Sequence, residues 1–506
     1  MSAVIAAGSD NVVALDPKAE ERRPLSVLSV ASECVPLVKT GGLADVAGAL
    51  PGALAPEGVA ITTLLPGYPA VMRAMGAAEV LRPLPDLFGG PSRVLADRVA
   101  GLDVIVVDAP HLFDRPGNPY LAPGGGEWGD NGIRFAALAA VAALAANGGL
   151  PGRTFDVVHA HDWQAGLVPA YLRFSGATRR VPCIMTVHNL AFAGKFGHDL
   201  FPRLGLPAHA AGVDGMEFYG AISFLKAGLW YADRITTVSP TYAAEIRTPE
   251  MGMGFDGLLR GRAGALSGIL NGLDTENWNP AADPHLATRF SAADPALRAA
   301  NKAALQARLG LDPDPDAPLF GFVGRLAWQK GMDMVLGALP TLLGLGGQLA
   351  VLGSGEWGLE AGCRGAASAH LGRVGAEIGF DEGLARLIYG GADAILVPSR
   401  FEPCGLAQLC ALRYGAVPVV AHVGGLVDTV IDAGEMALAA GTATGVQFSP
   451  VRQEMLEVAI ARTVALYRER EAWARLQRNG MATDVSWRRS AARYAALYRD
   501  VLAHAG

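Results

Sequence analysis

The stretch Val397-Pro398-Ser399-Arg400-Phe401-Glu402-Pro403-Cys404-Gly405-Leu406-Ala407-Gln408 sets an acid, Glu402, between an apolar strand and a turn loosened by glycine. Upstream, Gly391 to Pro398 reads as a buried strand, and downstream Leu406 to Tyr414 reads as a helix with one apolar face. A carboxylate at a strand-to-helix junction, on the carboxyl edge of a parallel sheet, lies where open α/β folds place their ligands.

The rest of the chain agrees with that architecture. In 506 residues, 51% hydrophobic and only 18% charged side chains describe a globular protein with large cores, long enough for two or three domains. The net charge of −6 is small and the basic residues are scattered, which leaves no footprint for nucleic acid or an anionic membrane and suits a neutral partner. The cysteines Cys34, Cys183, Cys363, Cys404 and Cys410 form no CxxC pair and leave one thiol over, as expected of a reducing, cytoplasmic protein without a zinc ribbon or disulfide framework. The N-terminus lacks a basic region ahead of its apolar run and is a poor signal peptide, so residues 1–23 read as a loose tail. The run Phe135 to Ala146 is too short to span a bilayer and is expected to be a core helix.

In the first half, Leu25 to Ala31 reads as a strand followed by the Gly-rich turn Val38 to Val46 and a helix. Short apolar runs recur at 59–65, 102–108, 155–160 and 182–187, which predicts a parallel sheet with crossover helices. The turn-rich segment Ile269 to Pro280 breaks the pattern and marks a domain boundary. Strands then restart at Leu319, Gln348, Arg373, Ala394 and Val417. The halves echo each other: Gly41-Gly42-Leu43-Ala44-Asp45 and Gly424-Gly425-Leu426-Val427-Asp428 each follow an apolar strand and open a helix. Paired glycines there let backbone amides approach an anion, although a tight turn alone would read the same; neither turn is GxGxxG, so a dinucleotide dehydrogenase is not supported.

Arg325 and Lys330, in a turn with two glycines just after a strand, suit a diphosphate, or else are two solvated charges. His159-Ala-His161-Asp162-Trp163 brings two imidazoles, an acid and an aromatic to a strand end, a setting for a hydroxylated ligand; zinc lacks a third ligand nearby. Asp312-Pro-Asp-Pro-Asp316 reads as a solvated loop rather than a cation site, and Cys404, with no base close in sequence, as a packing or pocket-lining thiol rather than a nucleophile.

Together, Lys39-Thr-Gly-Gly-Leu43, Asp114-Arg-Pro-Gly-Asn-Pro-Tyr120, His159 to Trp163, Thr186-Val-His-Asn-Leu190, Tyr231 to Pro240, Asn271-Gly-Leu-Asp274, Arg325 to Gly331 and Ser399 to Leu406 resemble bacterial glycogen synthase and plant starch synthase from about residue 25 to the C-terminus. The resemblance implies a GT-B fold: two Rossmann-like domains facing across a cleft, the first (24–268) on the acceptor side, the second (269–484) binding the nucleotide sugar, and an amphipathic helix over 485–506 crossing back with Trp487, Tyr494, Leu497 and Val501 on one face. It implies transfer of glucose from ADP-glucose to the non-reducing end of an α-1,4-glucan such as glycogen, with retention and no metal or other cofactor. By the same resemblance Lys39, Gly41 and Gly42 contact the donor, Arg325 and Lys330 neutralise the leaving diphosphate, His161 lines the glucose pocket, Asp130 is an acid of the cleft, and Glu402 holds the transferred sugar with Cys404, Gly405 and Leu406 beside it. Two departures stand out. A second glutamate common eight residues after the first is Cys410 here, leaving Gln408 as the nearest polar candidate, and Ala421-His422-Val423 replaces a segment that usually carries Arg and Thr, leaving the amides of Gly424 and Gly425 as phosphate donors. A UDP-glucose or other nucleotide-sugar transferase of the same fold, and a non-catalytic glucan-binding paralogue, are the competing readings.

Overall fold

The computed structural model describes residues 23–504, so the tail expected over 1–23 lies outside the described residues except at its last position. The first half builds one nine-stranded sheet from β1 (Leu25–Val30), β2 (Val59–Pro66), β3 (Glu79–Leu84), β4 (Ser92–Val99), β5 (Leu102–Asp108), β6 (Val157–His161), β7 (Cys183–Val187), β11 (Arg234–Thr237) and β12 (Leu266–Gly268); the intervening β8 (Lys195–Phe196), β9 (Glu217–Phe218) and β10 (Ala221–Ser223) form a small antiparallel sheet of their own. The large sheet runs β12-β11-β7-β6-β1-β2-β5-β4-β3. It is parallel from β12 to β5, as the buried apolar runs require.

The far edge corrects the expectation of a purely parallel sheet, because β3, β4 and β5 are antiparallel. Ala100 and Gly101 join β4 to β5 in a two-residue turn, both at positive φ, the geometry that matches strand twist in a hairpin. No Asn-Gly or Asp-Gly cue announces it, and β3 carries Pro83, which an edge strand tolerates.

The second half forms a parallel six-stranded sheet, β15 (Val374–Ile378), β14 (Gln348–Gly353), β13 (Leu319–Val323), β16 (Ala394–Val397), β17 (Val417–Ala421) and β18 (Val446–Phe448), in that spatial order. In each sheet the strand order reverses among the central parallel strands, between β1 and β6 in the first and between β13 and β16 in the second. Such reversals open a crevice at the carboxyl ends of the two strands, and ligands of open α/β sheets bind there. Lys39, Arg325 and Glu402 lie in the segments after β1, β13 and β16, and His161 is the last residue of β6.

The helix Asn131–Ala146 is almost wholly buried against the first sheet, as expected of the Ala-rich run. Among the described residues no helix is long and apolar enough to cross a membrane. The chain passes between halves along two segments lying side by side, where the Leu273 amide donates to the Val485 carbonyl at 2.7 Å and the Gly272 backbone approaches Trp487 too closely for any side chain. The C-terminal helix Arg488–Ala503 then returns to the first sheet: Trp487, Ala491, Tyr494, Ala495, Tyr498 and Val501 join Val27, Val46, Leu50, Val157 and Ile184 in one apolar cluster. The Tyr498 hydroxyl reaches Nδ1 of His159 at 2.8 Å.

Candidate active site

At the second crevice, the turn after β13 and the loop after β16 meet. Lys330 Nζ donates to Glu402 Oε2 at 2.5 Å, and the Ser399 hydroxyl donates to the same oxygen at 2.8 Å. The Glu402 side chain is 7% exposed and that of Lys330 23%, so the pair sits largely out of water. A buried carboxylate without such partners would be expelled or protonated. Arg325 projects into solvent with only a long contact, 3.4 Å, to Gln329. The two cations therefore do not act as an equivalent pair: Lys330 is committed to the acid and Arg325 remains free for an anion.

Glu402 is held through its backbone as well. Its carbonyl accepts the Gly425 amide at 3.0 Å, and the second Gly-Gly turn lies so close that a Cβ on Gly424 would sit 2.0 Å from that carbonyl, while one on Gly425 would sit 2.3 Å from the Cys404 carbonyl. Gly424 also has φ +44°. Glycine is required here for close approach of backbone to backbone. This corrects the expectation that the amides of Gly424 and Gly425 stand free for phosphate: Gly425 donates to Glu402, and Gly424 donates to the Glu245 carboxylate at 2.9 Å. Gln408 is buried and donates to the carbonyls of Cys404 and Gly405 at 2.9 and 3.0 Å, so it braces the loop from behind rather than facing a ligand. Gly405, at φ +78°, makes the turn that lets the loop pass over it. Burial pushes the Cys404 thiol up to about 12, which leaves it protonated and inert as a nucleophile.

At the first crevice, the turn Lys39-Thr40-Gly41-Gly42 is shaped by an acid that the motif reading passed over. Glu33 is buried and accepts from the Thr40 amide, the Thr40 hydroxyl (2.6 Å), the Gly41 amide (3.1 Å) and the Tyr120 hydroxyl. The anion-seeking amide of Gly41 is thus already engaged by a carboxylate. Lys39 pairs with Asp45 at 2.7 Å on an exposed surface, and Gly42 begins the helix Gly42–Leu54. Lys39 and Asp45 share the lining of a cavity of about 260 Å³ with Leu406 and Cys410 from the other half of the chain.

His161 departs from the role implied for it. Its ring is wholly buried, Nε2 lies 3.2 Å from the Ser29 hydroxyl and Nδ1 3.0 Å from Nε2 of His188, so neither nitrogen is free for a ligand. Burial, then the neighbouring imidazoles, hold its pKa well below the usual value, and burial lowers His159 and His188 to about 3. These rings are neutral packing members of the sheet edge. Asp162 takes φ +56°, a strained conformation for a non-glycine residue, and its carboxylate accepts the His188 amide at 2.6 Å; burial raises its pKa to about 7 against those amide hydrogen bonds. Asp130 is gripped by both terminal nitrogens of Arg115 (2.7 and 2.5 Å); burial would raise its pKa, but Arg115 outweighs that and holds it below the usual carboxylate range. Among the described residues no group of three or more His, Cys, Asp or Glu is placed to hold a metal ion. Asp312 to Asp316 form an exposed loop, as expected.

Phe380 also escaped the motif reading. It stands 89% exposed in the turn after β15, on the same carboxyl edge as Arg325 and two strands away. An apolar ring so exposed is the signal, but it is one that only the folded chain displays.

Residues 26–261 match the family described as starch synthase catalytic domain, and residues 307–480 match group 1 glycosyl transferases. Glycogen synthase of Rhodopseudomonas palustris is 60% identical over 480 residues, covering 95% of this chain and 99% of that relative, and glycogen synthase of Acidiphilium cryptum is 60% identical over 94% and 99%. Among solved structures, the catalytic domain of starch synthase IV from Arabidopsis thaliana, bound to ADP and acarbose, superposes with a TM-score of 0.84 at 31% identity, covering 95% of this chain and all of that one. Sucrose-phosphate synthase of Thermosynechococcus elongatus, at 19% identity and a TM-score of 0.58, shares the fold. Two α/β sheets, each with a strand-order reversal at its centre, a returning C-terminal helix and these likenesses place the chain in the glycogen synthase family of GT-B glycosyltransferases.

Proposed function

We propose that the protein transfers glucose from ADP-glucose to the non-reducing 4-hydroxyl of an α-1,4-glucan, with retention of configuration. The observation that carries this reading is the Lys330–Glu402 pair at the second switch point, with the free cation Arg325 on the same edge. Cleavage of a nucleotide sugar leaves a diphosphate while the anomeric carbon gains oxocarbenium character, so the site needs positive charge on one side and an acceptor on the other. Arg325, Lys330 and Lys39 supply the first and Glu402 the second. These cations do the work of a divalent metal, so chelation with EDTA leaves turnover unchanged on this reading. Phe380 offers its exposed ring as a platform for the base, two strand spacings, about 10 Å, from the Arg325 turn. The ADP in the starch synthase structure supports adenine as that base.

Retention by same-face attack, in which the leaving phosphate deprotonates the acceptor hydroxyl, fits the geometry better than a double displacement. Glu402 is already neutralised by Lys330 and hydrogen-bonded by Ser399, a poor state for a nucleophile. Incubation with glycogen and either ADP-glucose or UDP-glucose, with nucleotide release as the readout, tests the whole reading. Faster release of UDP overturns the donor, and no release from either donor overturns the activity in favour of a glucan-binding paralogue.

A further inference from the structure

The two Gly-Gly turns carry the same fitting. In each, the amide of the first glycine donates to a glutamate carboxylate: Gly41 to Glu33 at 3.1 Å, and Gly424 to Glu245 at 2.9 Å. Glu33 belongs to the same half of the chain as its turn. Glu245 does not, because it ends the helix Pro240–Glu245 between β11 and β12 of the first sheet and reaches a turn of the second.

The contact is reciprocal. Asp428, on the helix Gly424–Thr429, accepts the Thr241 amide at 2.9 Å and the Thr241 hydroxyl at 2.8 Å. Each helix thereby supplies the acid that satisfies an orphan amide in the other's first turn. Nothing slack separates Glu245 from the acid of the candidate site. The Gly424 amide donates to the first, and its neighbour Gly425 donates to the Glu402 carbonyl at 3.0 Å. The Gly424 Cα has backbone pressed against it on the Glu402 side and the Glu245 carboxylate just beyond. The second oxygen of Glu245 is buried without a partner, so the carboxylate is held where it is by the turn it caps and not by a saturated network of its own.

We propose that Glu245 and Asp428 form a latch between the two halves, and that Glu245 is a positioning residue for glucosyl transfer. With the latch shut, it fixes the Gly424-Gly425 turn and, through it, the backbone of Glu402. The site is then assembled only in the closed arrangement, which couples exclusion of water to readiness for chemistry. This inference rests on the reading of Glu402 as part of the transfer site.

The test is steady-state kinetics joined to small-angle X-ray scattering on the full chain. For Glu245→Ala the expected result is a kcat at least tenfold lower, a donor KM within about threefold of the parent, and a larger radius of gyration without ligand. Glu245→Gln keeps an acceptor oxygen for the Gly424 amide and is expected to restore most of the turnover. Thr241→Ala, which removes one hydroxyl donor, is a milder variant expected to shift kcat and the radius in the same direction should Glu245→Ala fold poorly. Glu245→Ala combined with Asp428→Ala is expected to lose little more than the worse single change. Parental kcat and radius in Glu245→Ala and Thr241→Ala, or Glu245→Gln as damaged as Glu245→Ala, would overturn the latch. An inactive Glu402→Ala beside a fully active Glu245→Ala would sink the latch alone. A wild-type chain that releases nucleotide from neither donor would remove the transfer reading, while the scattering change still decides the latch.

Discussion

Removing either member of the Lys330–Glu402 pair separates what the pair does for stability from what it does for chemistry. Loss of one partner from a buried ion pair costs about 3–5 kcal/mol because the other charge is left uncompensated. Lys330 is roughly a quarter exposed, so water recovers part of that, and Ser399 still donates to Glu402. Lys330→Ala is therefore expected to lose about 1–3 kcal/mol of unfolding free energy in urea titration. Glu402→Ala should lose less, since a lysine on a flexible stem can swing out to water whereas a buried carboxylate cannot. Turnover should show the opposite balance. A charged group preorganised in a water-excluded site contributes about 10²–10³ in rate, or about 2.7–4 kcal/mol of barrier. Glu402→Ala is expected to lower nucleotide release from ADP-glucose at least 10²-fold while its circular dichroism stays native. Lys330→Ala should fall by a similar factor, and the double variant should be far from the product of the two, because the residues act as a unit. Turnover of Glu402→Ala within threefold of the parent would remove the acid from the chemistry. Fully multiplicative losses would show that the pair is not one unit.

Three other outcomes follow from geometry already described. Gly425→Ala places a Cβ 2.3 Å from the Cys404 carbonyl and should cost about 1–3 kcal/mol and most of the turnover, whereas Gly52→Ala, inside the helix Gly42–Leu54 with open space around it, should stabilise by about 0.5–1 kcal/mol; equal effects in thermal unfolding would refute the packing argument. Asp162, with its pKa raised to about 7 in the fold against about 3.9 unfolded, keeps a proton that the unfolded chain has lost, so its contribution to stability falls as pH rises through that window. The buried histidines act in the opposite sense below about pH 6.5 but equally in both chains, so Asp162→Asn should gain on the parent by up to about 1.4 kcal/mol per pH unit between about pH 4 and 7, and a difference independent of pH would contradict the assignment. Tyr498→Phe removes the hydroxyl bonded to buried His159 and should cost about 1–3 kcal/mol with little change in kcat; a large loss of kcat would instead give that contact a part in the chemistry.

What could be read from the chain and what could not divides along sequence distance. Runs such as Leu319 to Phe322 and Ala394 to Val397 are buried on both faces, so hydropathy alone announces central parallel strands. The paired glycines mark two helix starts, but only the second pair needs its missing Cβ, because the Glu402 and Cys404 carbonyls press on Gly424 and Gly425 while Gly41 and Gly42 face open space. Their partners are not local. Glu245 lies 179 residues from Gly424, and nothing in its own neighbourhood marks it as the acid that occupies that turn. Glu33 is nearer, three residues past β1 and within eight of Thr40 and Gly41, yet the Tyr120 hydroxyl that completes its enclosure comes from 87 residues away. The enclosure of His161 is the same kind of fact: two histidines at a strand end look poised for a ligand until β7 brings His188 against them. The antiparallel edge at β3 and β4 went unread because Ala100-Gly101 is an uncommon way to write a two-residue hairpin.

The returning helix has a bearing on how the chain comes to be folded. Trp487 to Val501 cover Val27, Val157 and Ile184, so the half that leaves the ribosome first is the half completed last. Until the final helix has been made, that face of the first sheet is a strip of bare valine, leucine and isoleucine, the kind of surface that nascent chains hide in chaperones. Closing so long a loop adds little in free energy, because the entropy grows only with the logarithm of length. What the design imposes is a wait.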